Sequence, residues 1–114
     1  MIFFKPTEIQ NGECTALFEA FQNEDKLGEC RLLLKKDGAD VYMLEYDKAQ
    51  PEIGEGLLKS AYNYAANHGA YIGILSVKDK GKAHLLLNFE KNGDVLKNDI
   101  PSLLAGHCRC EDNI

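Results

Sequence analysis

The stretch Pro51–Leu58 (Pro-Glu-Ile-Gly-Glu-Gly-Leu-Leu), with the helical pattern running from it to His68, constrains this chain more than any other segment. A tyrosine-bearing strand pattern ends at Asp47, a turn with two glycines follows, and an amphipathic helix begins. Ile53, Leu57, Leu58, Ala61, Tyr62 and Ala65 form one continuous apolar helix face, with Lys59, Asn63 and Asn67 opposite. Glu52 and Glu55 favour the positive end of the helix dipole. Gly69, after Asn67-His68, reads as a left-handed stop. A strand–glycine turn–helix joint places backbone N–H groups at a helix N-terminus, which suits an anion such as a pyrophosphate.

The segments around it read mostly as strands. Ile2–Phe4, Lys5-Pro6 and Ile9 form a first extended segment, with Pro6 favouring an edge. Cys14–Phe21 fits helical spacing and strand alternation alike. The polar turn after it and the partner pattern over Leu27–Lys36 decide for strand. Asp37-Gly38 is a hairpin turn into a third strand, Ala39–Tyr46. Ala70–Val77 is a near-continuous apolar run, expected to be a strand buried on both faces with a parallel neighbour. The β-helix-β order from Val41 to Val77 points to a right-handed crossover. Beyond a charged loop at residues 78–82, a short helix is expected over Ala83–Leu87, ending at Asn88. A turn at Asn92-Gly93-Asp94, a last strand around Val95-Leu96 and one capped helical turn over Ile100–Leu104 complete the pattern. The fold expected is a single α/β domain over residues 1–114. It has a mixed sheet of about six strands, an antiparallel N-terminal meander, one long central helix and short C-terminal helices. A polar tail begins at about residue 106.

Charge and cysteines bound the function classes. With 114 residues and a net charge of −5, the chain lacks the basic surface that a general nucleic-acid binder or an anionic-membrane binder needs. No apolar run approaches the roughly 20 residues of a spanning helix. Ile2-Phe3-Phe4 is too brief for a signal peptide, so reduced thiols in the cytoplasm are expected for Cys14, Cys30, Cys108 and Cys110. His107, Cys108 and Cys110 raise a metal reading, but Cys-x-Cys is a poor chelate spacing and no second pair accompanies it, so no metal is expected. The alternative for that tail is a redox-reactive thiol.

The order of elements resembles the GNAT superfamily of acyl-CoA-dependent N-acyltransferases. Leu44-Glu45-Tyr46, Gly54-Glu55-Gly56-Leu57-Leu58 and Leu87-Asn88-Phe89 carry the resemblance, over roughly residues 13 to 97. More narrowly, the run from Pro51 to Asn67 resembles a group of short GNAT-like proteins with a Cys-x-Cys tail. The resemblance implies binding of acetyl-CoA or coenzyme A, with the backbone of Gly54, Glu55, Gly56, Leu57 and Leu58 around the pyrophosphate. The main chain at Leu44 and Tyr46 would hold the acyl carbonyl. It implies Glu45 as the base for an amine acceptor, small or peptidic. His84 takes the position of the tyrosine that protonates the leaving thiolate.

The sequence also departs from the family pattern. Pro51 stands where the family has Arg or Gln, and it has no N–H. Glu55 puts a negative charge in the phosphate loop, where like charges repel. Only about a dozen residues precede the meander, so the helix pair that shapes the family's acceptor site is not expected here. These departures favour the alternative of a non-catalytic GNAT-like module that binds a partner or forms a homodimer through a sheet edge.

Overall fold

Among the described residues, seven strands and two helices follow one another as β1 (Ile2–Glu8), β2 (Ala16–Gln22), β3 (Asp25–Lys35), β4 (Gly38–Tyr46), α1 (Pro51–Asn67), β5 (Ile72–Leu75), β6 (Glu90–Asn92), β7 (Val95–Asp99) and α2 (Ile100–Ala105). They come from a computed structural model that describes residues 2–8, 16–77, 86–92 and 95–105. The strands form one sheet in the order β1-β2-β3-β4-β5-β7-β6.

The first four strands are the expected antiparallel meander, extended by β1, whose Ile2 pairs with Gln22 and Phe4 with Ala20. Residues 16–22, ambiguous by spacing, are strand, with Ala16, Phe18 and Ala20 buried beneath α1. The β3–β4 turn is Lys36-Asp37, one residue earlier than expected. Gly38 already belongs to β4. A Cβ there would lie 2.9 Å from the Ile72 carbonyl oxygen, so this glycine permits the close approach of β5.

β5 is parallel to β4, as the β-helix-β order implies, and β7 flanks it antiparallel on the other side. Burial on both faces does not hold. Gly73 and Leu75 are buried, with Tyr62 and Leu103 against Gly73, whereas Ile72 and Ile74 are only half-buried. The physical reason is that α1 and α2 both pack on one side of the sheet. The opposite side carries no helix among the described residues.

The rest of the C-terminal part differs in detail. Leu86–Asn88 form a turn, closed by the Phe89 N–H donating to the Leu87 carbonyl at 2.9 Å, where the end of a short helix was expected. Ala83–Leu85 lie outside the described residues. The sheet has seven strands because Glu90–Asn92 adds an edge strand to β7. Glu-Lys-Asn has no apolar alternation by which to recognise it. Asp99 starts α2 by accepting from the Ser102 N–H at 2.9 Å and the Ser102 hydroxyl at 3.0 Å. The tail from residue 106, with Cys108 and Cys110, lies outside the described residues, as does Cys14.

The core lies between the helices and the sheet. Phe18, Leu32, Val41, Leu57, Leu58, Tyr62, Leu75 and Leu103 are almost wholly buried there. Burying each such side chain contributes about 1.5–3 kcal/mol.

Candidate functional site

The candidate site forms where β4 and β5 part. Their pairing covers only Ala39↔Gly73, Asp40↔Ile74 and Val41↔Leu75. One more bond follows, from the Ser76 N–H to the Val41 carbonyl at 3.0 Å. β5 then ends, while β4 runs on to Tyr46. The cause is local. Leu32 pairs with Val41 and Arg31 with Met43, so Tyr42 is an extra residue in β4. Such a bulge bends its strand. The diverging end of β4 therefore runs beside the first turn of α1, and Leu86 reaches in toward Gly54.

Of the residues expected at the acyl group, Leu44 and Tyr46 stand opposite Cys30 and Gly28 and pack on the core side. Glu45 points the other way and is exposed. Its cross-strand neighbour is Glu29, which pairs with Lys26. A cavity of about 290 Å³ adjoins this end of β4, lined by Leu27, Glu29, Glu45 and Asp47 among others. His84 lies outside the described residues.

The glycine stretch is not a loop. The helix begins at Pro51, so Gly54–Leu58 lie inside it, where amides bond back to carbonyls four residues earlier. Proline at the first helical position fixes a helical φ and starts the helix before the glycines. The preceding turn uses its own donors. Ala49 N–H donates to Asp47 Oδ1 at 2.9 Å, Gln50 N–H to the Asp47 carbonyl at 2.8 Å, and Ile53 N–H to the Gln50 carbonyl at 3.0 Å. The remaining first-turn amide is that of Glu52.

The two glycines serve packing. A Cβ on Gly54 would lie 2.8 Å from the Tyr46 ring and 2.9 Å from Leu86, and one on Gly56 would overlap the Phe4 ring. Glu55 is paired along the helix with Lys59 at 2.9 Å. Leu57 and Leu58 are fully buried. The Lys48 ammonium lies 4.4 Å from the centre of the Tyr46 ring, placing a cation beside this end of the site.

Sequence reasoning missed Asp40. It is 6 % exposed and is the one buried charged residue among those described. It alternates with Ala39 and Val41, so it faces the helix-free side of the sheet. Ser76 Oγ donates to its Oδ1 at 2.6 Å, and Lys35 Nζ lies 3.2 Å from its Oδ2. This buried carboxylate, held by two partners, lies one residue before Val41, the last residue of β4 paired with β5. In the sequence, Asp40 falls within the expected strand Ala39–Tyr46 and is not singled out. The available signal was a lone charge between Ala39 and Val41. On the same face a groove of about 400 Å³ passes over Ile72 and Ile74 and is flanked by Asp37, Glu90 and Lys97. No group of side chains among the described residues could hold a metal ion, and no described helix is long and apolar enough to cross a membrane.

A meander, a helix leading to a parallel strand, and a parting between those two strands define the GNAT-like acyl-CoA N-acyltransferase fold, and this chain has it. A GNAT-family protein from Desulfovibrio desulfuricans, provisionally assigned as an acetyltransferase, superposes with a TM-score of 0.65 at 9% identity, over 88% of this chain and 99% of that one. An N-acetyltransferase from Staphylococcus aureus Mu50 gives 0.62 at 16% identity, over 89% and 99%. The Escherichia coli protein YhhK, provisionally assigned as an N-acetyltransferase and solved bound to coenzyme A, gives 0.62 at 16% identity, over 83% and 79%. No protein-family model matches the sequence, and no curated protein matches it.

Proposed function

We propose that this chain binds an acyl-CoA thioester between the diverging ends of β4 and β5 and transfers the acyl group to an amine. The observation that carries the reading is the parting of the two strands beyond Val41 with the buried Asp40 carboxylate at its root. Coenzyme A supplies the acyl group in activated form. The main chain at Leu44 and Tyr46 holds the acyl carbonyl. The Glu52 amide and the Lys48 ammonium attract the phosphates, while Gly54–Leu58 set the helix against β4 and β1. This cradle has few donors and two nearby carboxylates, Glu52 and Glu55, so binding is weak. Asp40, in place of the exposed Glu45, takes the proton of the attacking amine by relay through water, since Leu44 lies about 13 Å along the strand. His84 is the proposed donor to the departing thiolate. The acceptor enters from the helix-free side, over Ile72 and Ile74.

Titration with acetyl-CoA followed by amide NMR tests this. Shifts should concentrate at residues 43–46, 52–53 and 76–77. In Asp40→Asn they should persist while transfer falls by about 100-fold or more. An unperturbed spectrum at saturating acetyl-CoA would sink the proposal.

A second reading has its own observation. Phe3, on the outermost strand β1, is 59% exposed. A non-catalytic module that pairs two copies along β1 would cover it. Sedimentation velocity decides: a monomer at every concentration removes that reading.

A further inference from the structure

Lys97 is a half-buried cation left without a partner. Leu96 beside it is buried toward the helices, so Lys97 faces the helix-free side, in register with Ile74 on β5 and Glu90 on β6. The same row includes Asp40, which has Lys35 and Ser76 as partners. Lys97 makes no hydrogen bond or ion pair among the described residues, not even with Glu90, which is exposed. A half-buried cation has lost water without gaining a counter-charge. It flanks the groove of about 400 Å³ that passes over Ile72 and Ile74. Tyr71 also lines this groove and is 64% exposed. Its backbone is nevertheless fixed, because the Ile100 N–H donates to its carbonyl at 2.7 Å. Apolar side chains, an exposed aromatic ring and one charge converging on a concave surface are the ingredients of a small-molecule site.

The remaining charges limit the ligand. Asp37 and Glu90 are exposed at the groove, Lys91 offsets one of them, and Asp99 is occupied by Ser102. A dianion such as phosphate would be repelled by those carboxylates, whereas a single negative charge can sit on Lys97 alone. We propose that the groove is a second binding site, for a small monocarboxylate with an aromatic or branched apolar body. The carboxylate pairs with Lys97 Nζ, and the body covers Ile72, Ile74 and the Tyr71 ring. The occupant lies on the route given above for the acceptor, so it excludes the acceptor and leaves acetyl-CoA free to bind. That exclusion rests on the transferase reading; the binding itself does not.

Amide NMR with 3-phenylpropanoate as the probe tests the site. Shifts should concentrate at residues 71–74 and 96–98, apart from those expected for acetyl-CoA, with a Kd on the order of 1 mM. The uncharged amide 3-phenylpropanamide keeps the apolar body and should bind about 10-fold more weakly, and Lys97→Gln should remove that difference. The comparison of acid with amide uses the unaltered chain, so a variant that fails to fold leaves the test intact. Equal affinity for acid and amide, shifts outside these strands, or no shift at about 20 mM probe overturns the site. In a transfer assay the probe should raise the KM for the amine acceptor and leave that for acetyl-CoA unchanged. An unchanged acceptor KM with the groove filled overturns the exclusion and leaves the site standing. Probe shifts in a chain that shows no acetyl-CoA-induced shift support the site and remove the transferase reading together with the exclusion.

Discussion

At the scale of residues, glycines in this chain mark close approaches. Gly28 is the strictest case. A Cβ there would lie 2.6 Å from the Glu45 carbonyl oxygen and 3.2 Å from Leu57. The first neighbour is backbone of the adjacent strand, which cannot turn aside as a side-chain tip can. Gly28→Ala should therefore cost about 1–3 kcal/mol, read as a lower denaturation midpoint with unchanged slope. Gly56 faces the outer end of the Phe4 ring, which can rotate. Gly56→Ala also gains helix propensity of about 1 kcal/mol, so it should cost less than Gly28→Ala in the same assay. Reversed costs would show that β1 is held more rigidly than β4. The same contacts explain why the roles of Gly54 and Gly56 could not be told apart from sequence. Two glycines before an apolar helix face look alike whether a phosphate or a phenyl ring covers them. Asp40 was illegible for the complementary reason: its meaning comes from Lys35 and Ser76, which reach it only across neighbouring strands.

Among elements, the signals that could be read were those with both a period and an end. The apolar face of α1 and its stop were legible to within a residue. Gly69 has φ +93°, and the Ala70 N–H returns to the Ala65 carbonyl at 3.0 Å. Nothing lies within 4 Å of a Cβ at that position, so Gly69→Ala should cost only the left-handed strain, about 1–2 kcal/mol. A larger loss would point to packing that the geometry does not contain. Short elements were less legible. β6 has three polar residues, and α2 is organised by a cap more than by a face. Bonds from the Ser102 N–H and then the Ser102 hydroxyl hold the Asp99 carboxyl below its ordinary value of 3.8. Its folded pKa is depressed, so its contribution is present above the unfolded value and is lost as pH falls through the folded one. Asp99→Asn should be less stable than the unaltered chain at neutral pH. The gap should begin to narrow as pH falls below about 3.8 and close only once pH has fallen through the lower folded value, where Asp99 is protonated and resembles asparagine. A gap constant with pH would mean that charge plays no part in the cap.

For the molecule as a whole, the described residues form one helical layer and leave the other sheet face free of helices. The proposed chemistry sits where β4 leaves β5, so whatever fixes β5 against α1 also fixes the site. Tyr62 does this. It is fully buried, and its hydroxyl donates to the Ile74 carbonyl at 2.6 Å, directly across from Asp40 in the β4–β5 register. Tyr62→Phe would remove this hydrogen bond from the Ile74 carbonyl, at a cost of about 0.5–1.5 kcal/mol. Burial, chiefly, pushes the Tyr62 phenol well above its ordinary 10.0, with Cys30 and Asp40 acting in the same direction. The folded chain thus keeps a proton that the unfolded chain releases near pH 10.0. The hydroxyl's contribution is therefore complete below that pH and declines as pH rises toward the folded value. Denaturation of the unaltered chain and of Tyr62→Phe at a series of pH values should show a constant gap up to about pH 10.0 that narrows above it. Lysines titrate in both proteins and cancel in the difference. A gap that stayed constant well above pH 10 would mean that the phenol ionises as readily in the folded core as outside it. Tyr62 would then not be the dry tie between α1 and β5 on which the position of Asp40 depends.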